Sequence, residues 1–200
     1  TVVYGPGSHF VRQVVEQAVS ELGGIDILVN NAAHQMAQPA GLDSISTEQF
    51  DRTMRTNLYA MFWLTKHALP HLQPGSCVVN TASIQGSSPS PALIDYAMTK
   101  AAIISFTQST AQSLAEKGIR VNAVCPGMTR TPLTEPDYQD PATKAAREAL
   151  VPLGRIGTPA DVAQAVAYLA DAPYVTGQSL VVDGGVADHM LTMIPGRPGK

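Results

Sequence analysis

Four short, nearly uninterrupted apolar runs recur along the chain: Ile25–Val29, Cys77–Val79, Val121–Val124 and Leu180–Val182. Each stops at a turn-prone cluster, respectively Asn30-Asn31, Asn80-Thr81, Pro126-Gly127 and Asp183-Gly184-Gly185. A strand with one face in water alternates apolar and polar residues. These runs do not alternate, so they predict strands buried on both faces, as in a parallel sheet covered by helices. The stretches between them, Phe10–Leu22, Thr47–Leu72, Ala92–Lys117 and Pro159–Asp171, carry helical spacing. Strand–helix–strand repetition with right-handed crossovers predicts an α/β fold, a doubly wound parallel sheet in a single domain.

Helix starts are marked by capping chemistry. Ser46-Thr47-Glu48-Gln49 offers a hydroxyl cap with an acid and an amide behind it, and Thr158-Pro159-Ala160-Asp161 sets Pro just inside a hydroxyl cap. Ser8 is a candidate cap for the first helix. Thr131 to about Leu150, with three prolines and mixed charges, reads as a loop that covers substrate. The tail after Asp188 shows neither period and is expected to drape over a neighbouring subunit.

Composition narrows the function classes. The chain has 200 residues, 44% hydrophobic and 14% charged, which excludes a disordered chain. Its net charge of −3 leaves no basic excess to displace counterions, so no nucleic-acid partner is expected. So low a charged fraction suggests surface buried against other subunits. Cys77 and Cys125 sit in apolar runs without metal-type spacing and read as two reduced core thiols. No apolar stretch approaches the roughly 18 residues of a membrane span, and no signal peptide opens the chain. A cytoplasmic protein without membrane partners is the expectation.

In open α/β sheets ligands bind beyond the carboxyl ends of the strands. The four strands deliver Asn30, Asn31, Ala32 and Ala33, then Asn80, Thr81 and Ser83, then Pro126, Gly127 and Thr131, to one edge. The helix over Ala92–Lys117 adds Tyr96 and Lys100, one turn apart on one face. A phenol is a poor acid near neutrality, and an ammonium one turn away is expected to draw its pKa down into working range. Ser83 is placed to hydrogen-bond the oxygen that the phenol protonates. A Tyr-x-x-x-Lys pair alone is weak evidence; its position after Ser83 and a buried strand gives it weight.

Asn30-Asn31-Ala32-Ala33, Asn57, Ser83, Tyr96-Ala97-Met98-Thr99-Lys100 and Val121-Asn122-Ala123-Val124-Cys125-Pro126-Gly127 occur in this order. Tyr174-Val175-Thr176-Gly177-Gln178 and Val182-Asp183-Gly184-Gly185 close the series. The set resembles the short-chain dehydrogenase/reductase family, in the compact form of oxoacyl-carrier-protein reductases, glucose dehydrogenases and aldehyde reductases, from about residue 10 to 187. The resemblance implies a Rossmann-like fold and an NAD(P)-dependent oxidoreductase that interconverts an alcohol and a carbonyl by hydride transfer.

Residue by residue, it implies Tyr96 as acid/base and Lys100 as the group that lowers its pKa and bonds the nicotinamide ribose. Ser83 would orient the substrate carbonyl, and Asn57 would hold a water in a proton relay. Asn30, Ala32 and Ala33 would let the adenosine side of NAD or NADP approach the backbone, while Pro126, Gly127 and Thr131 would hold the carboxamide. His34, Gln85 and Met128 are expected near substrate, an alcohol, aldehyde or ketone. Phe62 and Trp63 lie on one of two helices that resemble the family's subunit contact, which implies a homodimer or homotetramer. His67 and His71, four apart, are expected on a solvated or interface face, with no metal site.

This chain departs from the family's pattern in three places. Ala33 stands where the family usually has Gly, a mild change. Tyr4-Gly5-Pro6-Gly7-Ser8 follows the apolar run Thr1–Tyr4, read as a strand, where the family places an Asp against adenine. Nothing before Asn30 supplies the family's opening glycine-rich phosphate turn, and Gly5-Pro6-Gly7 reads as a loop. About 50 residues of a dinucleotide-binding start are lacking, so the chain reads as N-terminally truncated, with Ile25–Val29 as an exposed apolar edge. NAD and NADP are not distinguished by what is present. The competing reading is a silent relative that serves as a binding or assembly subunit.

Overall fold

The computed structural model describes residues 7–38 and 40–189. Its centre is a four-stranded parallel sheet, β1 (Ile27–Asn30), β2 (Cys77–Thr81), β3 (Arg120–Pro126) and β4 (Ser179–Val182), in that spatial order. The register sets Asn30 opposite Asn80, Thr81 opposite Val124 and Pro126 opposite Val182, so the carboxyl ends lie together. The four expected strands are present. β1 begins two residues later than its apolar run, because Ile25 packs as a flank of the core without strand pairing.

Both faces of the central strands β2 and β3 are covered, which is why their runs show no alternation, whereas Val181 of β4 is 46% exposed. Val78 and Val121 pack with Leu72, Ala111 and Leu114, residues of α4 (Ile94–Leu114) and of the segment before β2. Ala123 and Cys125 face Met61 of α3 (Ala60–Ala68) and Ile103 of α4. On the opposite face Cys77, Val79 and Val124 meet Leu169 of α6 (Pro159–Asp171). Leu169 is 1% exposed, and burying such a side chain stabilises by about 1.5–3 kcal/mol. β1 is different: Ile27 is 53% and Val29 42% exposed, and among the described residues β1 has no outer neighbour. The apolar edge expected from sequence is therefore present.

Local chemistry sets the helix boundaries. α1 (Ser8–Leu22) buries Val11 and Val15, one turn apart, and ends at Gly23, whose left-handed backbone returns its N–H to the Val19 carbonyl. Ser8 does not cap it: the N-cap is Gly7, and the Ser8 hydroxyl instead bonds His67 Nε2 at 2.9 Å. Ser46 does cap α2 (Thr47–Met54), accepting the Gln49 N–H, and Thr158 and Asp161 form a reciprocal capping box on α6. The single helix expected over Thr47–Leu72 is subdivided: α2 runs into a π-helical turn, Arg55–Tyr59, then α3, then a 3₁₀ turn, Leu69–His71. The helix expected over Ala92–Lys117 is α4, closing in a 3₁₀ turn at Ala115–Lys117.

The stretch Thr131–Leu150, expected to be a loop that covers substrate, has helical structure of its own. It holds a 3₁₀ turn, Glu135–Tyr138, and α5 (Pro141–Glu148), started by Asp140, whose carboxylate accepts the Thr143 N–H. Buried Tyr138 joins Ile84, Val151, Ile156 and Val186 in one apolar cluster, anchoring the stretch to the strand ends. A short α7 (Val186–His189) ends the described chain. The expected strand Thr1–Tyr4, the Gly5-Pro6 turn and the tail from residue 190 lie outside the described residues. Among the described residues no helix is long and apolar enough to cross a membrane, and no group of three or more His, Cys, Asp or Glu could hold a metal ion.

Candidate active site

β2 ends at Thr81, and two residues later Ser83 begins a 3₁₀ turn, Ile84–Gly86. The Ser83 Oγ accepts the Gln85 N–H at 3.2 Å and lies 3.4 Å from the Pro126 carbonyl oxygen, to which it donates. This fixes the hydroxyl between the ends of β2 and β3. The turn rests directly on α4, because a Cβ on Gly86 would stand 2.8 Å from the Lys100 carbonyl carbon. Gly127 permits a second close approach: a Cβ there would stand 2.5 Å from the Asp183 Cβ.

α4 presents Tyr96 and Lys100 to that hydroxyl. The Ser83 side chain acts on the Tyr96 phenol in the sense that lowers its pKa. Lys100 is 2% exposed; its Nζ donates to the Thr81 carbonyl at 2.7 Å and stands 5.3 Å from the centre of the Tyr96 ring. Burial depresses the ammonium pKa to about 8. The expectation that Lys100 draws the phenol down is not met. Burial pushes the Tyr96 pKa up, and the opposing effect is that of the Ser83 side chain.

Asn57 lies in the π turn, a helix irregularity frequent at functional sites. Its amide brackets the His34 backbone, accepting the His34 N–H at 2.7 Å and donating to the His34 carbonyl at 3.0 Å. It also donates to the Thr99 hydroxyl at 3.0 Å, which in turn donates to the Tyr96 carbonyl at 2.7 Å. Asn57 is thus joined to the Tyr96 turn through Thr99. Burial, and then the Arg52 charge, lower the His34 pKa, with Asp95 opposing, so its imidazole is neutral near pH 7.

The other sequence candidates are placed variously. The Asn30 side chain turns into the interior, donating to Thr65 Oγ1 and Asn80 Oδ1. Ala32 and Ala33 are exposed in the segment after β1. Pro126 and Gly127 close β3 beside Ser83, and the Gly127 N–H donates to the Val182 carbonyl. Thr131 is tied by its N–H to the Thr134 hydroxyl at 2.9 Å. The Gln85 side-chain oxygen accepts the Ser90 N–H at 2.6 Å, and Met128 packs on the cluster around Ile84. Ser83 meets Pro126 and Lys100 stands over the Tyr96 ring, all four at the carboxyl ends of the strands; Thr131, Ala32, Ala33 and Asn30 make none of these contacts.

Sequence reasoning passed over Thr99 and Asp95. Asp95 is 0% exposed, yet its carboxylate lies beside Tyr96 with hydrogen bonds from Gln49, Thr53 and the Tyr96 N–H. An acid in the first turn of a helix is the ordinary signal of a favourable end charge. Nothing in its spacing shows that this one is buried.

Comparison with known proteins agrees with this architecture. Residues 8–187 match the family profile described as enoyl-(acyl carrier protein) reductase. The chain is 51% identical over 177 residues to the uncharacterized oxidoreductase YhdF of Bacillus subtilis, covering 87% of this chain and 60% of that protein. It is 40% identical over 176 residues to the glucose and ribitol dehydrogenase of Daucus carota, with coverage of 87% and 60%. The structure of ElxO with NADP bound superposes with a TM-score of 0.84 at 31% identity, over 90% of this chain and 75% of that one. The chain thus spans about 60% of the length of the curated relatives it matches. With the parallel sheet, the strand-end serine and the tyrosine–lysine turn in place, the chain belongs to the short-chain dehydrogenase/reductase family of oxidoreductases, which use NAD or NADP.

Proposed function

We propose that the chain carries the catalytic part of an NAD(P)-dependent oxidoreductase that interconverts an alcohol and a carbonyl, with Tyr96 as the acid/base. The observation that carries this reading is the Ser83 hydroxyl held at the strand ends, with the Lys100 ammonium 5.3 Å from the centre of the Tyr96 ring on the neighbouring helix. The donor set fits the nicotinamide half of the cofactor. Lys100 and Tyr96 suit a ribose, Thr131 with the Pro126–Gly127 backbone suits a carboxamide, and exposed Ala32 and Ala33 leave backbone accessible. When bound, the nicotinamide supplies or accepts the hydride.

The protein's own part is the proton. Ser83 is held by the Gln85 N–H and the Pro126 carbonyl, so its hydroxyl is oriented before substrate arrives and needs no reorganisation. A carbonyl oxygen bound between Ser83 and Tyr96 takes the phenol proton as it becomes an alkoxide; the reverse reaction returns the proton to Tyr96. Asn57, linked to the Tyr96 turn through Thr99, is suited to hold the water that resupplies it.

The substrate is a small alcohol, aldehyde or ketone. The working form is a homodimer or homotetramer joined through the apolar face of Leu58, Tyr59, Phe62, Trp63, Ala102 and Phe106. Two buried free thiols, Cys77 and Cys125, suit the reducing cytoplasm. A second reading, a silent assembly subunit, draws on the open edge of β1 among the described residues. Oxidation of NADPH and NADH in the presence of hexanal, benzaldehyde and acetophenone separates the two. The oxidoreductase turns over at least one carbonyl, and Tyr96→Phe loses at least about 100-fold in kcat, the lower end of the range for one general acid. No turnover by the purified protein favours the assembly subunit, and an unimpaired Tyr96→Phe removes the tyrosine from the mechanism.

A further inference from the structure

Asp95 is the most deeply buried acid near the site, and no step assigned above uses it. Its Oδ2 accepts the Thr53 hydroxyl at 2.7 Å and the Gln49 side-chain amide at 3.2 Å, both from α2. Its Oδ1 accepts the Tyr96 N–H at 2.8 Å. That N–H is one of the first-turn donors of α4 that lack an intrahelical partner, and the N-cap residue Leu93 offers no side-chain acceptor. A carboxylate taken wholly out of water is tolerated only when such bonds satisfy it.

The arrangement has a regular geometry. Gln49, Thr53 and Asn57 follow at four-residue steps along α2 and the π turn, and they meet Asp95 and Thr99, four apart on α4. Thr53, Asp95 and Thr99 are each 0% exposed, and Asn57 is 2% exposed. Tyr96 and Lys100, each one residue further along, occupy the adjacent stripe of the same helix. The polar contacts on the 95/99 stripe thus fix where the 96/100 stripe points.

We propose that Asp95 is a positioning residue: its carboxylate clamps the first turn of α4 to α2 and so fixes the direction of the Tyr96 phenol toward the strand ends. For catalysis this rests on the oxidoreductase reading above; the clamp itself does not. The groups around it are Gln49, Thr53 and Arg52 from α2, His34 from the segment after β1, and Ser83 and Lys100 on the far side of Tyr96. Arg52 and Asp95 both act electrostatically on His34, so removing the carboxylate charge also alters that field. Thr53→Val takes away one donor and leaves the charge in place, and it therefore separates geometry from charge.

The test uses Asp95→Asn and Thr53→Val, with Asp171→Asn on the exposed end of α6 as control. Protein labelled with [4-13C]tyrosine reports each phenol carbon, and Tyr96→Phe assigns one resonance among the six tyrosines. The Tyr96 resonance should move in both variants while the others stay. With NADPH and hexanal, kcat should fall by about tenfold with KM within about twofold, as for a misplaced catalytic group. A Tyr96 resonance unmoved in folded Thr53→Val overturns the proposal, whatever the turnover, and that variant decides alone if Asp95→Asn does not fold. If the resonance moves but the wild-type protein turns over no carbonyl, the clamp stands and the oxidoreductase reading falls.

Discussion

Lys100 shows how burial at one residue reaches the stability of the whole chain. Its folded pKa is about 8, against an ordinary 10.5, because the ammonium is taken out of water. The unfolded chain holds that proton more tightly, so the linked contribution is unfavourable below pH 8 and is relieved as pH rises from about 8 toward 10.5. The cysteine thiols and the Tyr96 phenol are raised by burial and act in the opposite sense once their unfolded forms ionise. Only a difference between variants isolates the lysine. Lys100→Met should be stabilised relative to wild type at pH 7, with its advantage shrinking by pH 9.5, as read from urea midpoints. An advantage that does not change with pH would place the Lys100 pKa near its ordinary value. Tyr96, Lys100 and Ser83 were legible in the sequence because helical spacing and a strand end put them together. Asp95 and Thr53 were not, since each is an ordinary polar helix residue until α2 and α4 meet.

Between elements, the contact that matters most to the site is the 3₁₀ turn Ile84–Gly86 against α4. A Cβ at Gly86 would stand 2.8 Å from the Lys100 carbonyl carbon and 2.9 Å from its oxygen, and backbone in the middle of a helix cannot yield. Gly86→Ala should therefore push the turn off α4, costing about 1–3 kcal/mol as overpacking does, and should part Ser83 from Tyr96. A lowered urea midpoint together with lost turnover is the expected result; full turnover would mean that the turn shifts without carrying Ser83. β1 and β4 carry apolar runs with exposed residues in them, whereas β2 and β3 were legible because burial on two faces leaves an uninterrupted apolar run. The π turn was not, because Arg55–Tyr59 has the same composition as the helix on either side and only the hydrogen-bond step changes. The helix within 131–150 was not legible for a different reason: the three prolines read as loop residues, whereas Asp140-Pro141 is a helix start, with the cap and the first-turn proline in their favoured places.

At the scale of the molecule, apolar surface lies open among the described residues at the edge of β1 and on the face of the π turn, α3 and α4. The edge of β1 follows from the strand order, and the sequence pattern anticipated it. The other surface, on the π turn, α3 and α4, was anticipated through Phe62 and Trp63 alone, because a single helix pattern does not show which faces remain uncovered once helices have packed. Phe62 is 47% and Tyr59 48% exposed, beside Phe106, whose ring meets that of Phe62 at 6.3 Å. Rings this large and this exposed suggest a surface completed by a second copy. Phe62→Glu tests that with little harm to the helix. Lys66 already lies over the Phe62 ring, one turn away, and a glutamate at 62 would pair with it in the favoured order. The variant should sediment at the mass of one chain where the wild type sediments as a dimer or tetramer, while keeping its helical circular dichroism. A wild-type protein that already sediments as one chain at micromolar concentration would end the oligomer proposal. In that case the apolar face needs a different partner, and the low charged fraction of the chain, 14%, needs a different cause.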